Sequence, residues 1–533
     1  MLLLVLAGCD GALHDGAPLR VTIVGDPARP GGLAERLAAQ ATSATLITRD
    51  GAGQTLPGLA TSWRFVGDGR SLILRLRPVQ WSNGKALTSN DVMAAFRRAA
   101  APPRSDGVFA DAGLSAAAAV ASGRAPATQL GIRAPIARVV ELRLDAASPL
   151  LLGWLAEPAM GVVPAAKAAE SKSTAKAAEN RSGATSAASA ATLAAYTAGG
   201  TADRRVLTRI ADVVTPEARP GRIIISGSDD AAAAVAAFGQ DKTDIVIGEG
   251  LSGLGEARMT ARPQALRIDP LWGVYGYLAN GVHGPLRDDR VRRALAMAID
   301  RPALVGRFGI TAMAPVAALL PPSLSTRLPV ADPPAAAGTP IKPAVAGRAN
   351  DTDWTGLGAP ERLAQAQTLL ASAGWTAATP LRLVLLLPPG SDHRRVAELV
   401  AADWARLGVV LAVTQVGIGT IDRLVARGDF DLAVSEASVP VPDAGALLAR
   451  YRCGAGPFCN PAVDTLLAQA RLAPPADRPA LLARANAVLM TAPPLIPLFS
   501  AVRWALVGPQ VDGWVPNVAG SHPLARLAIM GQH

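Results

Sequence analysis

Eight side chains of this 533-residue chain have the types best suited to nucleophilic, redox or metal chemistry: Cys9, Cys453, Cys459, His14, His283, His393, His522 and His533. The histidines are dispersed, and none has the His-Glu spacing of a helical zinc site. Cys453-Gly-Ala-Gly-Pro-Phe-Cys459 sets two thiols at the ends of a Gly/Pro loop. Such a loop closes a small disulfide ring in an oxidising compartment, with two free thiols as the alternative. Zinc would need four ligands, and no His lies near this loop. Ser391-Asp392-His393 brings nucleophile, acid and base types together at an expected helix start. Catalytic triads assemble from distant positions, so this triplet is read as chance. The chain has no Gly-x-Ser-x-Gly elbow, phosphate loop or dinucleotide fingerprint. The pattern predicts a protein that is not an enzyme and uses no cofactor or metal.

Cys9 stands apart. It closes the apolar run Leu4-Val5-Leu6-Ala7-Gly8-Cys9, after which the chain turns polar at Asp10, His14 and Asp15. Leu-Ala-Gly-Cys after an apolar stretch resembles the bacterial lipoprotein signal. That resemblance implies removal of residues 1–8 as a signal peptide, a lipid anchor on Cys9, and work outside the cytoplasm. Asp10 after the Cys resembles the signal for retention in the inner rather than the outer membrane. No Lys or Arg precedes the run, so the natural start is expected further upstream.

Composition narrows the remaining classes. The length predicts two or three domains, and 50% apolar residues allow large cores. After Cys9 no stretch reaches the ~18 uninterrupted apolar residues of a membrane-crossing helix. The net charge is +10, but the basic residues are scattered and only 4% of residues are aromatic. A nucleic-acid binder needs a clustered basic face, so no nucleic-acid partner is expected. An anionic membrane surface would attract this charge modestly.

Periodicity places the elements. Leu19 to Val24 alternates as a strand, and Leu33 to Leu46 is helix-like. Asp68-Gly69 is a hairpin signal before the alternating return strand Ser71 to Arg77. Thr88 or Ser89 caps a helix running from Val92 to about Ala100, with Asp91 in its first turn. Val139 to Leu144 is a strand. Pro164 to about Ala198 reads as a solvated helix or linking segment. A strand from Arg222, a helix from Asp230 and a strand at Asp244 to Ile247 give a βαβ rhythm and parallel pairing. A helix is expected over Pro285 to Ile299, a long surface loop over Pro321 to Ala346, and a helix over Glu361 to Ala373. Leu381 to Leu387, Asp392 to Leu407 and Val409 to Val416 form a second β-α-β unit. A helix at Ile421, a strand at Phe430 to Val434 and a helix from Arg478 to Met490 follow.

Four blocks in this order resemble one family, the extracytoplasmic solute-binding proteins of ABC importers, family 5, of the peptide and nickel type. They are Leu56 to Arg98 (LPGLATSWRFVGDGRSLILRLRPVQWSNGKALTSNDVMAAFRR), Tyr277 to Arg301 (YLANGVHGPLRDDRVRRALAMAIDR), Glu361 to Trp375, and Pro493 to Trp514. The resemblance implies an α/β, two-lobed periplasmic binding protein fold of type II with an extra smaller domain on the first lobe. The implied division gives the first lobe 9–46, 190–270 and 499–533, the extra domain 47–189, and the second lobe 271–498. Within the blocks, Trp63 and Trp81 read as core, and Arg292 and Asp300 as pairing or capping residues.

In peptide-binding members of that family, the strand matching Phe430 to Val434 is followed by a Trp and then an Asp that pairs with the peptide's α-amino group. Here Ala437 and Pro440 fall at those positions. A buried ammonium needs a carboxylate, which Pro440 cannot supply. Glu436 in the same loop is the candidate replacement, with a solvent-facing Glu as the alternative. Trp272, Tyr275 and Tyr277, where the chain should cross between lobes, are the candidate aromatic lining, or else ordinary core. The implied function is a lipid-anchored, non-catalytic solute-binding component for peptides or peptide-like solutes, with an inner-membrane ABC permease as partner. The departures predict a modified or non-peptide solute. A non-transport lipoprotein that reuses the fold as a sensor or scaffold is the alternative.

Overall fold

The computed structural model describes residues 17–29, 31–102, 107–163, 192–210, 220–260, 262–325, 354–376 and 378–530. Cys9, the apolar run before it, and most of the segment expected from Pro164 to Ala198 lie outside these ranges.

Two parallel β-α-β systems are tied together by two long antiparallel strands. In the first, Leu19–Val24 pairs in parallel with Arg222–Ser228 on one side and Ile245–Glu249 on the other. Helix Ala231–Gly239 joins the latter two, capped by the Asp230 side chain accepting from Ala233 N–H. In the second, Arg382–Leu387 pairs in parallel with Val410–Gln415 and Leu432–Ser438, with helix Ser391–Ala405 as the first connection. Strands Leu266–Ala279 and Leu495–Val507 run antiparallel to each other and contact both systems.

The sheet order is therefore Val410–Gln415, Arg382–Leu387, Leu432–Ser438, Leu266–Ala279, Leu495–Val507, Ile245–Glu249, Leu19–Val24, Arg222–Ser228, Arg204–Arg209, Tyr196–Gly200. Register between the two long strands breaks between Pro270 and Val274 and again at Tyr275/Gly276. Breaks of this kind bend and twist a ladder locally. The first falls where Leu266–Ala279 begins to pair with Leu432–Ser438, at Gly273, in the expected two-lobed α/β arrangement.

The extra domain has its own sheet, ordered Ala60–Val66, Ser71–Leu76, Val139–Arg143, Ile132–Ile136. Asp68 (φ 53°) and Gly69 (φ 80°) form its tight turn, where positive φ suits Gly and short polar residues. Thr88 caps helix Ser89–Ala100 through a reciprocal box with Asp91. A separate core of Leu72, Leu74, Trp81, Phe96, Phe109 and Trp154 lies beneath this sheet. Trp63 packs at its margin. In the second lobe Arg292 is buried and bridges Asp289, while Asp300 caps helix Arg301–Gly306.

Several expectations need correction. The helix expected to Leu46 stops at Thr42, and Ile47–Arg49 is a strand. Tyr196–Gly200 is an edge strand rather than part of a helix, because it pairs with Arg204–Arg209. The helix expected from Pro285 starts with a short 3-10 turn, Pro285–Arg287, and then runs Asp289–Ala298, capped by Asp288. Pro322–Ser325 is a short helix, and the rest of the expected loop lies outside the described residues. Among the described residues no helix is long and apolar enough to cross a membrane.

Candidate functional site

In parallel α/β sheets, ligands bind at the carboxyl ends of the strands. Here those ends meet at one seam. The first lobe supplies the loop after Leu19–Val24, carrying Arg29, and the loop after Ile245–Glu249, carrying Gly250 to Glu256. The second supplies Gly390 to His393 after Arg382–Leu387, the end of Leu432–Ser438, and helix Ile418–Arg427. The largest hydrophobic core spans the seam: Val24, Leu251 and Leu254 of the first lobe share it with Tyr275, Val396 and Val400 of the second.

Glu436 lies in this seam. It stands opposite Tyr275 in the antiparallel pair. Its carboxyl group packs so tightly on Gly250 that a Cβ there would collide with it. Gly250 has φ +58°, a conformation that suits glycine. The Leu251 N–H donates to the Glu436 carboxylate. Burial, reinforced by the nearby Glu249, pushes Glu436 up to about 8.

Glu249 ends its strand opposite Arg503 and forms ion pairs with Arg36 and, at 3.7 Å, with Arg29. Burial works to raise its pKa, but Arg36, Arg503 and Arg29 outweigh it and hold the group below the usual carboxylate range. Arg29 also crosses the seam to Asp422, at 3.0 Å. Glu436 forms no salt bridge among the described residues.

A second polar chain crosses beside it. His393 Nδ1 lies 2.9 Å from Tyr275 Oη, and its Nε2 lies 3.0 Å from Ser252 Oγ of the first lobe. Burial lowers His393 to about 4, so the ring is neutral at physiological pH. Trp504 Nε1 fixes the loop by donating to the Ser252 carbonyl at 3.0 Å. Asp392 meets the backbone of Gly255, and its pKa is raised, first by burial.

The candidate residues separate in three dimensions. Glu436 and Tyr275 come together on one face at the seam. Tyr275 is 1% exposed and stacks on Phe499 with ring centroids 4.5 Å apart. Tyr277, two residues on, is fully buried and meets Trp404 edge-on. Trp272 sits at the register break, packed against the core on the other side of the sheet, and its carbonyl accepts from Val439 N–H. Ala437 faces that same core with Val274, while Pro440 is exposed. Cys453 and Cys459 form a disulfide with Cα atoms 4.2 Å apart.

Sequence reasoning missed Glu249, Arg29, Arg36, Asp422, Arg503 and Ser252, and gave His393 no role. Glu249 carried a signal: it is the first charged residue after the apolar run Ile245 to Gly248, at a parallel strand's carboxyl end. The seam resembles no metal centre, and no group of three or more metal-binding side chains occurs among the described residues.

The profile of bacterial extracellular solute-binding proteins, family 5 Middle, matches residues 54–457. The chain belongs to this family. Its members bind solutes and are not catalysts. The chain is 26% identical over 528 residues to the periplasmic murein peptide-binding protein MppA of Escherichia coli (strain K12), covering 95% of this chain and 91% of that one. It is 26% identical over 497 residues to the probable deoxycholate-binding periplasmic protein YgiS of the same organism, covering 88% and 84%. Among solved structures, the Haemophilus influenzae OppA complex with RPPGFSPFR superposes with a TM-score of 0.80 at 19% identity, covering 98% of this chain and 100% of that one. The E. coli murein tripeptide binding protein MppA gives 0.79 at 22% identity, with the same coverage. These structures share the fold.

Proposed function

We propose that this protein is the solute-binding component of an ABC-type importer, enclosing a peptide-like solute between its lobes in the periplasm. The reading rests on one observation above all. The carboxyl ends of both sets of parallel strands converge on a seam that holds a carboxyl group, Glu436, with no salt-bridge partner among the described residues. Relatives named for peptide ligands support the class, and one named as a probable deoxycholate binder favours a broader range. Ala437 and Pro440 make a modified or non-peptide solute the favoured occupant. The apolar run ending at Cys9 supports a lipid anchor, held at the inner membrane and facing a permease there.

We propose the division that the family resemblance implies. The first lobe takes 9–46, 190–270 and 499–533, the extra domain 47–189, and the second lobe 271–498. It is supported by the register break between Pro270 and Val274 and by the separate core under the four-stranded sheet.

Native mass spectrometry of the purified protein tests the reading by identifying what co-purifies. Calorimetry with trialanine and N-acetyl-trialanine then tests the solute class. Sub-micromolar binding of trialanine, lost on acetylation, would count against the modified-solute reading. A second reading, a sensor that does not feed a permease, is favoured only by the substituted anchor positions Ala437 and Pro440. Genes for a permease and an ATPase beside this one would exclude it.

A further inference from the structure

The four-stranded sheet of the extra domain has two faces, and one of them meets the core. Leu72, Leu74, Val140 and Leu142 are fully buried on that side. Successive side chains of a strand point to opposite faces. Arg75 and Arg143 therefore stand on the outer side, and strand register extends that side across the whole sheet. Arg64 lies opposite Ile73, Ile73 opposite Glu141, and Glu141 opposite Arg133. In the adjoining rows Arg75 lies opposite Val139, and Arg143 opposite Ser71. All four arginines are exposed, and Ile136, opposite Val139, is 66% exposed. We propose that this arginine-bearing outer face is a docking surface for an anionic phospholipid membrane.

The charge on this face is left uncompensated by the chain itself. Its one acid, Glu141, accepts from Arg143 Nε at 2.9 Å and from Ser71 Oγ at 3.0 Å. Arg64, Arg75 and Arg133 form no salt bridge among the described residues. A guanidinium fork matches the oxygens of a phosphate group. Between the forks lie the aliphatic side chains of Ile73, Val139 and Ile136, which suit the boundary between headgroups and acyl chains.

The composition of the face selects among anionic partners. Trp63 and Phe65 lie opposite Leu74 and Leu72, so their register puts them on the other side of the sheet. The outer side offers no ring on which a nucleic-acid base could stack. In the periplasm proposed above, the extended anionic surface is a membrane. The grouping is invisible in the sequence, where the same arginines are spread over some eighty positions, and arises only from strand pairing. This inference uses the periplasmic setting but not the solute, so a failure to identify a solute leaves it standing.

Co-sedimentation of the full chain with vesicles of phosphatidylglycerol or of phosphatidylcholine tests it, with Cys9 unacylated so that no fatty chain contributes. The wild type is expected to bind the first and not the second, and to be released as salt rises. Each arginine at an anionic surface is worth about 5-fold in partitioning, so Arg64→Gln, Arg75→Gln and Arg133→Gln together should weaken binding roughly 100-fold. Arg382→Gln, Arg406→Gln and Arg484→Gln remove the same charge from exposed positions on the second lobe and should leave binding near the wild-type level. Circular dichroism checks that both triple variants are folded. Absence of wild-type binding to phosphatidylglycerol overturns the proposal, as does an equal loss in the two variants, which would mean that net charge alone attracts the protein. Retention on immobilised polyglutamate without binding to phosphatidylglycerol would assign the face to an acidic polypeptide and overturn it as well.

Discussion

Tyr275 Oη lies 2.9 Å from His393 Nδ1, and the same imidazole reaches across the seam to Ser252 Oγ at 3.0 Å. One hydroxyl on a central strand thus fixes the ring that joins the lobes. Tyr277, on the same face, has a buried hydroxyl without a partner among the described residues.

These two tyrosines should respond oppositely to loss of the hydroxyl. Tyr275→Phe orphans His393 Nδ1 and should cost about 1–3 kcal/mol of unfolding free energy. Tyr277→Phe removes a polar atom that is buried and unsatisfied, and should be neutral or stabilising. Urea titration of both variants at pH 7 checks the contrast.

His393 should contribute to the acid sensitivity of the fold. Its folded pKa, about 4, lies below the ordinary value of 6.5. Stability from burying the neutral ring is present above 6.5 and is lost as pH falls through about 4. The shift corresponds to about 3 kcal/mol. Unfolding measured at pH 7, 5 and 4 should show a smaller acid loss in His393→Gln than in the wild type.

Gly250→Ala should hold the lobes open. The added methyl group meets the Glu436 carboxyl group, and the backbone at φ +58° disfavours it further. Solution scattering should give a larger radius of gyration than wild type. Adding Glu436→Ala should restore the closed dimension, which a purely local backbone defect would not allow.

The disulfide closes a short loop, with the cysteines six residues apart. Chain entropy puts its contribution at about 2 kcal/mol. Replacing both Cys453 and Cys459 by Ser should lower the thermal midpoint modestly, read by calorimetry with and without reductant. A loss several times larger would mean that the loop supports more of the second lobe than its own ring.

Much of the fold was legible because local signals agreed with it. Asp68-Gly69 marked a real hairpin, Thr88 with Asp91 a real cap, and Leu381 to Val416 a real β-α-β unit. The Tyr196–Gly200 strand was not legible, since a small-residue segment takes its strand character from the neighbouring Arg204–Arg209. The site was harder. Period-two alternation puts Tyr275 and Tyr277 on one face but cannot say that only Tyr275 reaches the seam. Glu436 was found through its loop, whereas Arg503 and Glu249, more than 250 residues apart in sequence, meet only through strand register.

Strand Leu495–Val507 occupies the middle of the sheet, between Ile245–Glu249 and Leu266–Ala279. It follows both of these neighbours in the chain, far from either in sequence. Until it arrives, the strands on either side keep bare hydrogen-bonding edges, and the ladder cannot be completed across the molecule. The two halves of the sheet therefore join only when a strand distant in sequence from both neighbours inserts between them, a non-local pairing of the slow-forming kind.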